Sequence, residues 1–169
     1  MTVGFCMDDE MSGWLVRNNT FVDCQTAMLL GGGRDAVVRD NTIVNCSLGL
    51  EFDNRGMNWE RNSNCPLAVA GPKKTLAGPA GSTCKKRWPE MMNVLTDPST
   101  TVCNPKHDIV ENNSYSHTLK FCSTPAATVA SWGSKLVDNR PTILRSRRRR
   151  HPALTTQTSS RPGSSAALP

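Results

Sequence analysis

The segment Val16-Arg-Asn-Asn-Thr-Phe-Val-Asp-Cys24 returns 22 residues later as Val38-Arg-Asp-Asn-Thr-Ile-Val-Asn-Cys46, with six of the nine positions identical. A third and weaker copy is Val110-Glu-Asn-Asn-Ser-Tyr115. Apolar and polar residues alternate within each copy, which is typical of β-strands that bury one face. Self-similarity at a fixed period of roughly 20 to 50 residues indicates a solenoid, in which each repeat buries its apolar face against the next.

Outside these copies, each repeat contains a further predicted strand that ends at acidic or glycine residues. Gly4–Met7 precedes Asp8-Asp9, Ala27–Leu30 precedes Gly31-Gly-Gly33, and Gly49–Phe52 precedes Asp53-Asn-Arg55. The intervals are 23 residues from Phe5 to Met28 and 22 residues from Met28 to Leu50. Repeats of this length predict an all-β fold, a right-handed parallel β-helix (β-solenoid) of about three coils with three strands in each. Leucine-rich repeats share the length, but this sequence lacks their LxxLxL consensus.

The alternation also predicts which side chains enter the core. They are Val16, Asn19 and Phe21 in one coil, Val38, Asn41 and Ile43 in the next, and Val110, Asn113 and Tyr115 in a later one. Asparagine tolerates the left-handed conformation that a tight turn between two sheets requires. Stacked amides about 4.8 Å apart can hydrogen-bond in a ladder. Cys24 and Cys46 stack in the same way, either as a disulfide or, as we favour, as free thiols.

The order of the motifs resembles a known family. Asp8-Asp9-x-x-Ser12-Gly13, Gly31-Gly-Gly-Arg-Asp35, Asn41-Thr-Ile43 and Asp53-x-Arg55-Gly56 with Trp59 follow one another as in right-handed parallel β-helix repeat proteins of the pectin-lyase-like superfamily. The match covers about residues 4–59, with a fainter continuation as far as Asn139. This sequence departs from the family pattern at two positions. Where the family has a His this chain has Glu51, and where the family has an Asn it has Ala36. Relatives have further coils before the Asp-Asp element, so the chain resembles a C-terminal fragment of a longer solenoid.

The resemblance and the composition divide the chain into four segments. We expect β-helix coils over residues 1–59, a loop-rich insertion with a short helix at Pro89–Leu95 over 60–107, and a last coil with a capping helix at Thr124–Trp132 over 108–139. Proline and glycine residues favour loops in the insertion, and Cys84 and Cys103 are candidates to staple it. Residues 140–169 are expected to be a disordered basic tail of low complexity.

The positive charge of the chain is concentrated at its end. Residues 140–169 hold 7 of the 20 basic residues and none of the 14 acidic ones, so the net charge of +6 leaves 13 basic against 14 acidic residues, or −1, in the rest. The body is therefore not expected to bind nucleic acid, and the absence of a long apolar stretch predicts no membrane association. No signal peptide is recognisable, while seven cysteines favour an extracellular location for a longer parent protein.

An acidic patch is the candidate functional site. Alternation places Cys6, Leu29 and Glu51 in one outward column and Asp8, Gly31 and Asp53 in the next. Carboxylate pairs act on glycosidic bonds and bind hard cations such as Ca²⁺. The candidate catalytic residues are Asp8, Glu51, Asp53 and Arg55, the candidate substrate-binding residues are Asp9, Arg34 and Asp35, and the candidate Ca²⁺ ligands are Asp8 and Asp53. The alternative is that the aspartates are turn residues paired with Arg34 and Arg55 across the coils.

Fold and patch together predict a carbohydrate-associated protein whose partner is a polysaccharide or another glycan. If the protein is an enzyme, it is a polysaccharide lyase or a glycoside hydrolase. The resemblance implies that in a lyase Ca²⁺ offsets the uronate charge while a basic residue, Arg34 or Arg55 here, removes the C5 proton. The alternatives are a non-catalytic β-helix used for binding or structure, and an inactive truncated fragment. The sequence gives no indication of the oligomeric state.

Overall fold

A computed structural model describes residues 2–98 and 101–142 of the chain. Short strands on either side of a helical segment dominate these residues. The strands are β1 (Val3–Met7), β2 (Leu15–Arg17), β3 (Thr20–Val22), β4 (Thr26–Gly31), β5 (Val37–Arg39), β6 (Thr42–Val44), β7 (Leu48–Asp53), β8 (Ile109–Glu111), β9 (Ser114–Ser116), β10 (Lys120–Cys122), β11 (Lys135–Val137) and β12 (Arg140–Pro141). The helices are α1 (Asn64–Ala77), α2 (Ala80–Arg87), α3 (Asn93–Thr96) and α4 (Ala126–Ser131), with 3-10 turns at Arg55–Met57 and Pro89–Met92.

The strands form three parallel sheets, and every third strand along the chain enters the same sheet. The strand orders are β1-β4-β7-β10, β2-β5-β8-β11 and β3-β6-β9-β12. The register follows the sequence repeat, because Val16 pairs with Val38 and Val38 pairs with Val110. This arrangement confirms the prediction of parallel strands and is compatible with a β-solenoid. Each sheet contains four strands, where the sequence predicted about three coils.

The core draws side chains from all three sheets, as the alternation predicted. Val38, Ile43 and Val110 are fully buried, as are Met28 and Leu50, which pair with each other in the first sheet. These residues occupy the same position in successive repeats, so each apolar side chain packs on its own counterpart. Burial of this column is the main source of stability for strands of only two to six residues.

The predicted asparagine ladder is present. Asn19 donates to Oδ1 of Asn41, Asn41 donates to Asn113 and Asn113 donates to Asn139, each through its backbone N–H and its side-chain amide at 2.8–3.1 Å. The left-handed residue is the one before each ladder asparagine, since Asn18, Asp40, Asn112 and Asp138 have φ between 51° and 57°. The prediction that the ladder residue itself takes this conformation was wrong. The turn occurs one residue earlier and leaves the ladder amide directed along the stack.

The segment 60–107, called the helical insertion below, contains α1, α2 and α3 among its described residues, where the sequence predicted mainly loops. Pro66 lies in the first turn of α1, where N–H groups have no acceptor within the helix and a missing one costs little. The short helix expected at Pro89–Leu95 is confirmed as a 3-10 turn followed by α3. The insertion is stapled by Cys65–Cys103, and Cys84 is a free thiol. Of the two candidate staples, Cys103 is confirmed and Cys84 is not, whereas Cys24 and Cys46 are free thiols as favoured.

The expected capping helix is α4. Its Val129 is fully buried, and Trp132 just after it stacks on Phe52 with ring centroids 5.9 Å apart. Pro125 occupies the N-cap position of this helix, and the Thr124 hydroxyl before it donates to Phe52 O at 2.6 Å. Residues 140–141 form β12 in the third sheet, so the tail begins later than predicted. The disordered basic tail was predicted over residues 140–169, of which residues 143–169 lie outside the described part of the chain.

Candidate functional site

The register places the two outward columns as the sequence predicted. Cys6 pairs with Leu29 and Leu29 pairs with Glu51, while Gly31 pairs with Asp53 two residues further along. Asp8 directly follows β1, whose last residue pairs with the residue before Gly31. Asp8 and Asp53 therefore meet on the outer face of the first sheet, with a glycine between them. The space above that glycine is occupied by a positively charged side chain.

The cation is Arg55, whose side chain is only 9% exposed. Its Nε and Nη2 donate to Asp53 Oδ2 at 3.0 and 2.8 Å. Its Nη1 donates to Asp8 Oδ1 and, at 3.5 Å, to Asp9 Oδ1. The Asp53 carboxylate also accepts the backbone N–H of Arg55 at 2.6 Å, which fixes the turn after β7. Three aspartates that were candidates for chemistry thus surround one buried guanidinium.

Neighbouring residues shape the space that this guanidinium occupies. A Cβ on Gly31 would lie 2.8 Å from Arg55 Cζ, and one on Gly32 would lie 2.7 Å from Arg55 Cγ. The Trp59 ring covers the other side, with its centroid 5.4 Å from Cζ. The Gly-Gly dipeptide leaves room for a side chain to lie flat against the sheet, and the tryptophan adds a cation–π contact. The space that the sequence assigned to an open patch is therefore filled.

The electrostatics of the patch follow from this packing. Burial lowers the pKa of Arg55, but the bonds to Asp53 and Asp8 outweigh it and raise that pKa above its ordinary value. The arrangement matches the alternative in which the aspartates pair with an arginine across the repeats. Among the hydrogen bonds and ion pairs of residues 2–98 and 101–142, Arg55 has none to Glu51. Catalysis or Ca²⁺ binding at Asp8 and Asp53 stays a prediction, and a cation there would have to displace Arg55.

Arg34 forms a second ion-pair cluster, which ties the helical insertion to the strands. Its Nε donates to Asp35 Oδ2 at 2.9 Å, and its Nη1 donates to Asp97 Oδ2 and, at 3.3 Å, to Val102 O. Nδ1 of His107 lies 3.0 Å from Asp35 Oδ1 and 3.3 Å from an Arg34 nitrogen. Because Asp35 Oδ1 is an acceptor and the Arg34 nitrogen is a donor, this ring nitrogen can hydrogen-bond to only one of them at a time.

Asp97 is the partner through which this cluster reaches the helical insertion. Its Oδ2 also accepts from Lys106 Nζ at 2.8 Å. Burial would raise the pKa of Asp97, but the hydrogen bonds from Lys106 and Arg34 outweigh it and hold the pKa below its ordinary value. The carboxylate is therefore ionised and shared by two cations. Arg34 is only 4% exposed, so its guanidinium binds these carboxylates and is shielded from solvent.

A cavity of about 650 Å³ lies between the turns of the strands and the helical insertion. Apolar side chains from the insertion line one part of it, among them Leu76, Trp88 and Met91. Polar side chains from the turns line another part, among them Glu10, Arg34 and Asp35. Binding cavities for small molecules have volumes of roughly 300 to 1,000 Å³ and combine an apolar lining with a few directed polar groups. This cavity has both properties.

Comparison with protein-family models, curated proteins and solved structures finds no match to this chain. The resemblance to β-helix repeat proteins thus depends on the motifs and on the three parallel sheets. Within residues 2–98 and 101–142, none of the helices has the length and apolar character needed to cross a membrane. Function has to be argued from the geometry of the site alone.

Glu10 stands out among the cavity residues because of its environment. Burial and the nearby Glu60 carboxylate raise the pKa of Glu10 to about 7, against a lowering effect of Arg55. Its Oε1 is buried and has no hydrogen-bond partner among the described residues. The backbone of Glu10 has φ of 62°, within the left-handed region that Asp9 also adopts, and this turn directs the chain beneath Arg55 and Gly56.

Sequence reasoning placed some residues of this region and missed others. It named Asp9, Arg34 and Asp35 as substrate-binding, and the structure brings Arg34 and Asp35, but not Asp9, to the cavity lining. It missed Glu10, although that residue continues the Asp8-Asp9 run. It also missed Asp97 and Trp88, because nothing in the repeat indicates how a non-repeating insertion folds back onto the strands. His107, read as a scattered histidine, contacts Asp35.

Proposed function

We propose that the protein is a right-handed parallel β-helix of the pectin-lyase-like kind that binds a saccharide in the cavity beside Trp88. The observation that carries the proposal is the lining of this cavity, which combines the aromatic ring of Trp88 with charged side chains and the Ser12 hydroxyl. Saccharides present apolar C–H faces and many hydroxyl groups, so they are recognised by an aromatic surface together with directed hydrogen-bonding groups. The disulfide Cys65–Cys103 supports an extracellular location.

The geometry of the acidic patch argues against cleavage there, so we favour saccharide binding in the cavity. A lyase needs a base that accepts the C5 proton, and Arg55 is a poor one because its pKa is raised by Asp53 and Asp8. Arg34 is held by Asp35 and Asp97 in the same way. A glycosidase needs a free carboxylate facing the substrate, whereas the carboxylates of Asp8 and Asp53 both contact Arg55. The patch therefore supports the fold, and the cavity is the better candidate for a ligand.

One observation favours hydrolysis as a second candidate function. Glu10 lines the cavity with a pKa of about 7 and would be protonated in part at neutral pH, as a general acid must be. If it acts in this way, incubation with bound oligosaccharides will release reducing ends, and Glu10→Gln will abolish the release. A lyase would instead yield unsaturated products that absorb in the ultraviolet. Release of neither product leaves binding as the function.

The binding proposal is tested by calorimetric titration of the full chain with oligosaccharides of neutral sugars and of uronic acids. The chain offers a matched pair of tryptophans, because Arg87 stacks on Trp88 at 4.9 Å and Arg55 stacks on Trp59 at 5.4 Å. Only Trp88 lines the cavity. We expect Trp88→Ala to weaken binding about 10- to 30-fold, the usual loss for an aromatic side chain that a ligand covers, and Trp59→Ala to leave it unchanged. Equal effects of the two substitutions, or binding of no saccharide, would exclude the cavity as the site.

A further inference from the structure

Three potential metal ligands meet at the wall of the cavity. A carboxylate oxygen of Glu10 and the Sγ atoms of Cys65 and Cys103 all lie within 4.8 Å of one another. The two cysteines form a disulfide, and a disulfide sulfur is not a metal ligand, because metals bind the thiolate. In the oxidised chain the cluster therefore holds no cation. Its composition changes when the disulfide is reduced, because two soft thiolates then stand beside a carboxylate.

Two further observations point to a ligand at this cluster. The Oε1 atom of Glu10 is buried and has no hydrogen-bond partner within residues 2–98 and 101–142, so the carboxylate lacks the partner that a buried charge requires. Gly56 keeps the space open, since a Cβ there would lie 2.5 Å from Glu10 Oε1 and 2.9 Å from Cys103 Cβ. Glu10 and Cys103 both line the cavity, which gives an ion and a reductant a route to the cluster.

We infer that reduction of Cys65–Cys103 converts this cluster into a site for a thiophilic divalent cation such as Zn²⁺, held by Cys65, Cys103 and Glu10. Zinc is usually four-coordinate with sulfur, nitrogen and oxygen ligands, and three protein ligands leave one position that faces the cavity. The inference goes beyond saccharide binding and does not depend on it. It assigns the chain two states, a disulfide-stapled state without metal and a reduced state in which the metal replaces the staple.

A phosphine can reduce the disulfide in a reaction that balances in atoms and electrons. The phosphine attacks one sulfur and breaks the S–S bond, and hydrolysis of the adduct by water gives two thiols and the phosphine oxide. The disulfide gains two electrons and the phosphorus is oxidised by two. Zn²⁺ then displaces one proton from each thiol, together with the proton of Glu10 where that carboxyl is protonated. Metal binding is thus accompanied by proton release, which makes it pH-dependent.

The test uses the full chain and Co²⁺ as a spectroscopic substitute for Zn²⁺. After phosphine reduction, we expect one equivalent of Co²⁺ to produce a thiolate-to-cobalt charge-transfer band and tetrahedral d–d bands, and Zn²⁺ to displace them. The oxidised chain should show neither. Glu10→Gln keeps both cysteines and should weaken Co²⁺ binding about tenfold or more, since loss even of a residue that only supports a ligand has such an effect. Cys65→Ser should abolish the bands.

Cys84→Ser is the matched control, because Cys84 is a free thiol of the insertion that is not in the cluster. It should leave the bands and the affinity unchanged. Bands that persist in Cys65→Ser, or that disappear in Cys84→Ser, would show that other thiols bind the metal and would overturn the inference. Unchanged Co²⁺ affinity in Glu10→Gln would remove the carboxylate from the site. Failure of the reduced wild-type chain to bind Co²⁺ would also overturn it.

Discussion

The repeat stack, formed by β1–β12, and the helical insertion at residues 60–107 use different kinds of contact. In the stack, a residue packs on its own counterpart one repeat away, as Asn19 does on Asn41, 22 residues later. The contacts of the insertion share no common spacing, since Arg34 pairs with Asp97, 63 residues apart, and Cys65 with Cys103, 38 residues apart. Contacts at one fixed spacing are visible in a sequence as a period, whereas contacts without a common spacing leave no such pattern.

The first prediction breaks the stack within its asparagine ladder. Asn41→Leu removes the acceptor for the backbone N–H and amide of Asn19 and the donor to Val16 O, all in a side chain that is 1% exposed. Unpaired buried polar groups cost about 1 to 3 kcal/mol each, so we expect the free energy of unfolding to fall by about 4 kcal/mol. Urea-induced unfolding followed by circular dichroism measures this loss.

The control is Asn19→Leu at the exposed end of the same ladder. Asn19 donates to Asn41 but is itself accessible to water, which can replace the lost partners. We expect a loss of about 1 kcal/mol or less. Equal losses at the two positions would show that stability does not depend on the continuity of the ladder.

Sequence reasoning was correct where one repeat constrains the next. The inward positions of Val38 and Ile43 and the Asn41 ladder follow from the period and the alternation, and the structure confirms them. The pairing of the aspartates with Arg55 could not be chosen over its alternative, because the direction of the Arg55 side chain depends on the glycines beneath it and on Trp59 above it. The cavity could not be predicted at all, because part of its lining comes from α1, which was read as a loop.

The second prediction concerns Asp108, which lies where the insertion rejoins the stack. Burial raises its pKa to about 7, although the Ala36 N–H and the Ser134 hydroxyl donate to the carboxylate. Because the pKa is higher in the folded chain than in the unfolded chain, this group stabilises the fold most at low pH, and that stabilisation is lost as the pH rises toward 7. Between about pH 4 and 5.5 the loss is about 2 kcal/mol.

Asp108→Asn removes this pH dependence and keeps the hydrogen bond from Ala36, because an amide oxygen also accepts. Urea unfolding at several pH values should therefore show a flatter profile for Asp108→Asn than for the wild-type chain. Asp40→Asn is the control, since Asp40 is exposed and its replacement should leave the profile unchanged. A wild-type profile in Asp108→Asn would show that the titration of other groups causes the pH dependence.

The third prediction applies one substitution to both regions and expects opposite signs. A Cβ on Gly31 in the stack would lie 2.8 Å from both Met7 O and Arg55 Cζ, and the Met7 carbonyl is backbone that cannot move aside. Gly31→Ala should therefore destabilise the chain by about 1 to 2 kcal/mol through overpacking. Gly78 follows α1 with φ of −90°, and a Cβ there would lie 3.5 Å from Thr75 O, which is an ordinary van der Waals contact.

Gly78→Ala should stabilise the insertion by about 0.5 to 1 kcal/mol, because alanine adopts this extended conformation without strain and has less backbone freedom to lose on folding. Hydrogen exchange of α1 amides, rather than global unfolding, measures this gain, since the insertion can open while the stack stays folded. The sign difference would show that glycines of the stack are required by side chains and backbone packed on them. Gly78 of the insertion is not required in this way. If both substitutions destabilise equally, Gly78 is constrained by packing as tightly as Gly31.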